Sequence, residues 1–511
     1  MRHFALAAAV LVAIAGDAAA NGRAPATSTI HFRQGHDSDV VAGMTFGMVI
    51  SHDAGATWQW MCETAIGYAG NYDPDYVYSP SGALFATTFD GLVVNRDSCT
   101  FAATTFGTTF MSQIEQGPDA TLYACAADPN DATIYKSTND GTTFSASAQP
   151  GQNGDWWSTI VIAPGNANDV YLSGYRLTPA CDAKSVTPFA ACDPSLAGVD
   201  CSGCTKPQGK CILNDAGGGT CDANSATPGA SCMIPQDCDN CTNPLAKCDS
   251  VRVALLFAST NAGASFQPLP GNGEFLTQTT GKGLTTTANS AIDLVGTSAD
   301  GSTLYARVEQ ESPTAEGLYK IAPATDTTWT HILTVNNDNI AALVRSNGDL
   351  VVGTRASGGQ ISTNGGTSWT PLTNPPHINC LVENSAHEIW ACTQQLGNMN
   401  SPGDGFGIMK TTDLATWTGV LKYPDIQQPV SCAAGTLQHD ACQAQIWCGL
   451  KTQLAITSTA VDCTTPPDAG VVVKPPKKTG CCDTGGSGGA SALLLALATL
   501  LLVRRRRSRL G

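Results

Sequence analysis

One eight-residue motif, which occurs four times, constrains the fold of this 511-residue chain more than any other feature. Each copy, here called an octet, reads Ser, any residue, Asp or Asn, any residue, Gly, any residue, Thr or Ser, and an aromatic residue. The defining residues of the four octets are Ser51, Asp53, Gly55 and Trp58; Ser137, Asn139, Gly141 and Phe144; Ser259, Asn261, Gly263 and Phe266; and Ser362, Asn364, Gly366 and Trp369. Asp and Asn accept hydrogen bonds from nearby backbone, Gly permits a positive φ, and the aromatic residue can begin a packed strand. The octets therefore predict structural turns.

Short apolar strand patterns accompany the octets, for example Leu84-Phe85-Ala86 and Leu122-Tyr123-Ala124. Degenerate octets end at Phe101, Trp329 and Trp417. Only 14% of the residues are charged and 52 are glycine, which is typical of short strands joined by many turns. Each unit has room for four strands, the number in a propeller blade. The sequence predicts an all-β propeller of four-stranded blades.

The octets resemble the Asp box of the BNR-repeat β-propellers, which include sialidases, Vps10-type receptors, certain xyloglucanases and photosystem assembly factors. The Asp of that box is structural in these families, so the resemblance implies that Asp53 is not catalytic. The aromatic residues that end the four octets and the three degenerate octets number seven, which favours seven blades. Eight blades are the alternative, because the segments 428–432 and 445–449 read as two further strands that residues 28–32 could complete. With seven blades, these two late strands are instead expected to add to the first blade.

Two matching cysteine-rich runs interrupt the fourth blade and define an insertion, 181–248. The runs contain Cys181, Cys192, Cys201, Cys204 and Cys211, and then Cys221, Cys232, Cys238, Cys241 and Cys248. Each run holds an odd number of cysteines, so complete pairing within the insertion requires at least one disulfide between the runs. Zinc binding by the Cys-X-X-Cys pairs is the alternative in a reducing compartment, but we expect disulfides in an exported chain and no metal site. The insertion is either a ligand-binding projection or a spacer.

Nine other cysteines precede the C-terminal tail, namely Cys62, Cys99, Cys125, Cys380, Cys392, Cys432, Cys442, Cys448 and Cys463. We expect local disulfides among them, such as Cys432 with Cys442 or Cys448. The odd count leaves one cysteine free, or bonded to the insertion or to the tail.

Both ends of the chain carry targeting signals. Residues 1–20 contain a basic start, an apolar run and Ala18-Ala19-Ala20, which predicts a signal peptide. The mature chain is then expected to begin near Asn21, with its propeller over 21–463. A Pro-rich stalk follows over 464–480, and 481–511 combine Cys481 and Cys482 with a short apolar run and an Arg cluster. This order resembles the MYXO-CTERM tail of myxobacterial surface proteins, which implies transient membrane insertion, cleavage near Cys481 or Cys482, and an outer-envelope or extracellular location. A plain single-pass anchor is the alternative.

The charge balance limits the function classes. The net charge of −15 argues against nucleic acid as a partner, because phosphate binding needs clustered Lys and Arg. No Ser-His-Asp motif or histidine-ligand spacing appears, so we name no catalytic residue and no cofactor. The favoured function is noncatalytic binding of an extracellular glycan or protein.

A sialidase or another glycoside hydrolase is the second hypothesis, and a structural envelope protein is the third. The segment Phe32-Arg33-Gln34-Gly35 partly resembles the first arginine motif of sialidases. Candidate residues for a hydrolase site are Arg96, Arg176, Arg252, Arg307, Arg345, Arg355, Asp73, Asp75 and Asp90. A sialidase would require three of the arginines to converge beside a Tyr/Glu pair.

Overall fold

The computed structural model describes residues 23–70, 72–181, 211–213, 219–221, 231–232, 248–277, 279–356, 358–397 and 402–463. The chain divides into two units, Met1–Pro466 and Pro467–Gly511, and all described residues belong to the first. The predicted signal peptide, the stalk, and the tail with Cys481 and Cys482 lie outside the described residues, as do Cys192, Cys201, Cys204, Cys238 and Cys241.

The described residues form seven four-stranded antiparallel blades, which confirms the predicted all-β propeller and its blade count. The first three blades are β1 Thr27–Arg33, β2 His36–Met44, β3 Gly47–Ser51 and β4 Gln59–Met61; β5 Tyr76–Tyr78, β6 Leu84–Thr88, β7 Gly91–Asn95 and β8 Phe101–Ala103; and β9 Met111–Gln116, β10 Leu122–Ala126, β11 Ile134–Ser137 and β12 Ser145–Ala148. The fourth blade comprises β13 Trp156–Ile162, β14 Val170–Cys181, β18 Cys248–Ser259 and β19 Gln267–Pro268. The last three are β20 Ala291–Thr297, β21 Leu304–Ser312, β22 Ala315–Ile321 and β23 Thr330–Asn336; β24 Ile340–Val344, β25 Leu350–Thr354, β26 Gly359–Ser362 and β27 Thr370–Pro371; and β28 Ile378–Glu383, β29 Ile389–Thr393, β30 Ile408–Thr411 and β31 Thr418–Leu421.

The antiparallel order gives the propeller two different faces. The turn between the first and second strands and the turn between the third and fourth strands of a blade lie at one end, and all four octets occupy the latter position. We call this end the octet face. The hairpins between second and third strands and the connectors between blades lie at the opposite end, here called the front face.

Each octet is closed by its own side chains. In the first, the Ser51 hydroxyl donates to Asp53 Oδ1 at 2.8 Å, while the Asp53 carboxylate accepts the Thr57 amide at 2.8 Å and the Thr57 hydroxyl at 2.6 Å. Gly55 has a φ of +85°, and buried Trp58 donates its Nε1 proton to the Gly55 carbonyl. In the other octets the side-chain amides of Asn139, Asn261 and Asn364 donate to the hydroxyls of Thr143, Ser265 and Ser368.

The octets also join neighbouring blades. Lys136 of the third blade lies 5.4 Å from the Tyr123 ring centre and donates to the Ala262 carbonyl in the fourth-blade octet at 2.6 Å. Lys320 of the fifth blade makes the same contact with the Gly365 carbonyl of the sixth at 2.7 Å. Because these cations bond backbone of the next octet, the repeated motif stabilises the ring as well as its own turn.

The C-terminal segment closes the ring at the first blade. Strand β32, Gln428–Pro429, pairs parallel to β4 as a fifth, outermost strand, so the late chain patches a blade that is already complete. The expectation of a second late strand over 445–449 is wrong, because Gln438–Ile446 form a π-helix and Trp447–Gln453 an α-helix. Trp447 and Leu450 of this helical segment are buried, which explains the apolar pattern.

Four disulfides connect the propeller cysteines, and they correct the expected local pairing around Cys432 and Cys442. The pairs are Cys62–Cys442, Cys99–Cys432, Cys380–Cys392 and Cys448–Cys463. The first two tie the C-terminal segment to the first two blades. Cys125, on the buried β10, is the free cysteine among these nine.

The insertion leaves the fourth blade between its second and third strands. Strands β14 and β18 pair without a break from Val170 opposite Ser259 to Cys181 opposite Cys248. They extend the blade as a hairpin beyond the front face. A separate three-stranded sheet follows within the insertion, formed by β15 Cys211–Leu213, β16 Gly219–Cys221 and β17 Ser231–Cys232.

Candidate functional site at the front face

Exposed large apolar side chains concentrate on the front face. Phe89 is 52% exposed, Leu177 60%, Phe275 51% and Leu396 51%, and all four lie in front-face hairpins, connectors or the β14 extension. Leu437, 48% exposed, lies in the C-terminal segment instead. Because exposed apolar surface on one face is typical of interaction sites, the front face is the candidate functional surface.

A row of aromatic rings crosses the front face from the second blade to the fourth. Tyr72 lies 4.4 Å from Phe89, which lies 5.7 Å from Phe110, measured between ring centres. Phe110 lies 5.2 Å from Trp156, and Trp156 lies 6.4 Å from Tyr175. We call these five residues the aromatic strip. Tyr72, Phe89 and Phe110 come from three different connectors and hairpins, and Trp156 and Tyr175 lie on β13 and β14, so the strip is produced by tertiary structure.

Polar contacts fix both ends of the strip. The Tyr72 hydroxyl is hydrogen-bonded to the Thr87 hydroxyl at 2.8 Å. At the other end, the Arg252 guanidinium lies 4.3 Å from the Tyr175 ring centre and donates to the Asn289 and Ser290 carbonyls. The strip therefore ends at the root of the hairpin that carries the insertion.

A buried ion pair lies next to Trp156. Asp155 is fully buried, and its two carboxylate oxygens accept the Arg176 guanidinium at 2.6 and 2.7 Å. Such bidentate pairs are among the stronger polar contacts in proteins. This contact joins the start of β13 to β14 directly beneath the aromatic strip.

Asp75 is a second acid that is packed within the front face. Its Oδ2 atom accepts the Ile114 amide proton at 2.9 Å, and its own backbone amide donates to Thr87. Burial raises the pKa of Asp75 to about 7. The contact joins the inner strands of the second and third blades, which gives this carboxyl a structural role.

The arginines proposed for a sialidase site do not converge. Arg33, Arg96 and Arg345 lie on the octet face, where Arg33 contacts Asp39 and the Pro80 carbonyl, Arg96 contacts Asp140, and Arg345 contacts Glu383. Of those toward the front, Arg176 is paired with Asp155, Arg307 with Asp293 and Glu309, and Arg355 donates to Asn379.

A Tyr/Glu pair does occur in the fifth blade. The Tyr319 hydroxyl donates to Glu311, and burial raises the pKa of Tyr319 to about 12. Tyr319 is fully buried, whereas a nucleophile must reach its substrate. The described residues therefore do not assemble the site that the sialidase hypothesis requires.

The octet residues and the aromatic strip lie at opposite ends of the propeller. All four octets are on the octet face, and five insertion cysteines, Cys181, Cys211, Cys221, Cys232 and Cys248, lie on described strands. Phe89 and Trp156 were not predicted. The one sequence signal for the strip is an aromatic residue in successive blade connectors, which has no fixed spacing.

No protein-family model matches the chain, and the comparison with curated proteins gives no match. Solved structures with similarity include the extracellular domain of the BT4673 one-component system from B. thetaiotaomicron, at 12% identity and a TM-score of 0.42, covering 76% of this chain and 38% of that one. An ancestral GH74 enzyme matches at 14% identity and a TM-score of 0.42, covering 73% and 44%. YCF48 from Cyanidioschyzon merolae matches at 9% identity and a TM-score of 0.40, covering 72% and 92%.

The present chain thus spans less than half the length of the first two matched structures. At this level of similarity the matches carry no functional information, and the fold assignment rests on the strand pairing described above. Within the described ranges, no helix has the length and hydropathy needed to cross a membrane. The apolar run of the tail lies outside those ranges.

Proposed function

We propose that this chain is an exported, noncatalytic binding propeller of the Asp-box type whose front face docks a protein. The aromatic strip is the observation that carries the proposal. Its rings are in contact across three blades, with exposed Phe89 near one end, buried Phe110 in the middle, and exposed Leu177 and Phe275 beside the other end. Aromatic anchors of this kind provide much of the binding energy in protein interfaces.

The chemistry of the strip favours a protein over a glycan at this surface. Sugar hydroxyls need polar partners, but several polar groups here are engaged: the Tyr72 hydroxyl with Thr87, Asp155 with Arg176, and Arg252 with two carbonyls. Of the strip's own polar atoms, this leaves the Trp156 indole N–H and the Tyr175 hydroxyl. Phe89 and Phe110 have no polar atom to offer. Asp90, exposed beside Phe89, would favour a basic residue in the partner, as would the net charge of −15.

The four disulfides support export, because such bonds persist in oxidising compartments. We propose that the tail then acts as a sorting signal and leaves the propeller at the cell surface. Mass spectrometry of the exported protein should find no peptide from Ala492 onward. Recovery of the intact Arg tail would favour the single-pass anchor.

Peptide display tests the binding proposal with a random library, so the partner need not be identified first. The exported chain should enrich peptides that combine aromatic or aliphatic residues with Lys or Arg. Phe89→Ser and Phe275→Ser should each reduce affinity for the enriched peptides about tenfold, which corresponds to about 1.4 kcal/mol. Leu437→Ser is the matched control, since it removes a similarly exposed apolar side chain of the C-terminal segment, outside the blade hairpins and connectors.

Equal binding by the Phe89→Ser and Leu437→Ser variants would show that the peptides do not bind at the strip. Enrichment of no peptide would favour the structural-protein hypothesis. Turnover of fluorogenic glycosides by the purified chain would contradict the noncatalytic proposal and restore the hydrolase hypothesis.

A further inference from the structure

A second candidate site lies on the front face across the fifth, sixth and seventh blades, away from the aromatic strip. It is a cavity of about 630 Å³. We call it the amide pocket, and its polar lining includes Gln310, Ser312, Asn337, Asn339, Arg355 and Gln394. Its volume is within the range of small-molecule sites.

Two carboxylates hold the pocket walls in place. The Asp338 side chain accepts the backbone amides of Arg355 at 3.1 Å and Ala356 at 2.8 Å, which joins the connector before the sixth blade to the hairpin of that blade. Glu316 accepts the Asn339 side-chain amide at 2.9 Å and the Ile340 amide at 2.8 Å. Both acids are therefore engaged in building the pocket, which is preorganised.

Other polar groups of the pocket are left uncommitted. In the part of the chain that the structure describes, the side chains of Gln310, Ser312, Thr314 and Asn337 make no hydrogen bond, whereas Gln394 donates to the Leu396 carbonyl. A carboxamide both donates and accepts, as does a hydroxyl. The pocket thus offers neutral groups of both polarities to a ligand.

The backbone at the pocket is unusual. Gln310 has a φ of +53° and Asn337 a φ of +58°. Gln310 lies inside strand β21, where pairing with β22 skips between Val308 and Ser312 and forms a bulge. Left-handed residues and bulges within strands are enriched at binding sites, because they redirect side chains.

From this arrangement we infer that the amide pocket binds a neutral carbohydrate. Sugar hydroxyls match uncommitted amides and hydroxyls. Among the charged side chains that line the pocket, Glu316 and Asp338 outnumber Arg355, so anionic glycans would be repelled. This inference is independent of the protein-docking proposal.

An array of neutral and acidic oligosaccharides tests the inference, followed by calorimetry with the neutral glycans retained. Gln310→Gly and Asn337→Gly remove the amides, and glycine tolerates the positive φ, so both variants should fold. Each should weaken neutral-glycan binding at least tenfold. Asn374→Gly is the matched control, because Asn374 also has a positive φ, +47°, but does not line the pocket.

The Phe89→Ser variant should bind the neutral glycan as tightly as the wild type, which separates this site from the aromatic strip. A blank array, preferential binding of acidic glycans, or unchanged affinity in both glycine variants would overturn the inference. Loss of glycan binding in Phe89→Ser but not in Gln310→Gly would overturn it as well.

Discussion

Cys62, which follows the first blade, is bonded to Cys442 of the C-terminal helical segment across 380 residues of sequence. Cys99–Cys432 spans 333 residues and joins the same segment to the second blade. While one of these bonds is intact, it already closes the large loop of the unfolded chain. The other bond then closes only a short additional loop. The two bonds therefore act together to restrict the unfolded chain.

We expect the removal of either bond, with the other intact, to lower the free energy of unfolding by about 3–4 kcal/mol. Replacing all four cysteines by serine should cost more than the sum of the two separate losses, since only then does the large loop open. Guanidinium unfolding of the three variants measures this. Removing Cys380–Cys392, whose partners are 12 residues apart, should add independently to the loss of either long-range bond. Simple additivity of the two long-range bonds would contradict this expectation.

Asp53→Asn should be nearly neutral and Asp53→Ala should lower stability by about 1–2 kcal/mol. Asn occupies the same position in the other three octets and makes the same contacts, whereas Ala leaves the Thr57 amide without a partner. Urea unfolding provides the measurement. Equal losses in both variants would show that the negative charge itself matters.

Lys136→Met should reduce stability by about 1 kcal/mol or slightly more, because it keeps the apolar stem but removes the bond to the Ala262 carbonyl and the contact with Tyr123. Lys320→Met tests the equivalent contact between the fifth and sixth blades. Thermal unfolding of both variants measures the effect. If neither is less stable than the wild type, the octet carbonyls do not join the blades energetically.

Asp75 should make stability depend on pH. Burial raises its pKa to about 7 in the folded protein, against 3.8 as its ordinary value. Between those two values the folded state holds a proton that the unfolded state has lost, so this group's contribution decreases as the pH rises from about 4 to 7. Asp75→Asn keeps an acceptor for Ile114 and should flatten the stability profile in that window. Asp90→Asn, on an exposed carboxylate of the same face, is the control; an equal change in both would contradict this assignment.

The blades were predictable because their signals are local. The octet residues from Ser51 to Trp58 specify a turn through bonds that span only four residues, so the sequence alone contains the information. The late segment was not predictable in the same way. Residues 445–449 have the pattern of a strand, but a short apolar run fits a buried helix equally well. Packing against the first blade determines that this segment is helical.

The disulfides and the aromatic strip depend on contacts that sequence spacing does not encode. Cys432 is close to Cys442 in sequence, yet each bonds a blade more than 300 residues away. Phe89, Phe110 and Trp156 become neighbours only when blades stand side by side. Local patterns therefore revealed the repeated scaffold, while the candidate sites required the assembled ring.

The uninterrupted pairing of β14 with β18, up to Cys181 opposite Cys248, means that the insertion enters and leaves the propeller at a single point. A segment attached in this way can be lengthened, shortened or exchanged without altering the order of the blades. The hairpin is thus a natural grafting position, where a new domain could be displayed beside the aromatic strip while the octet face continues to hold the ring together.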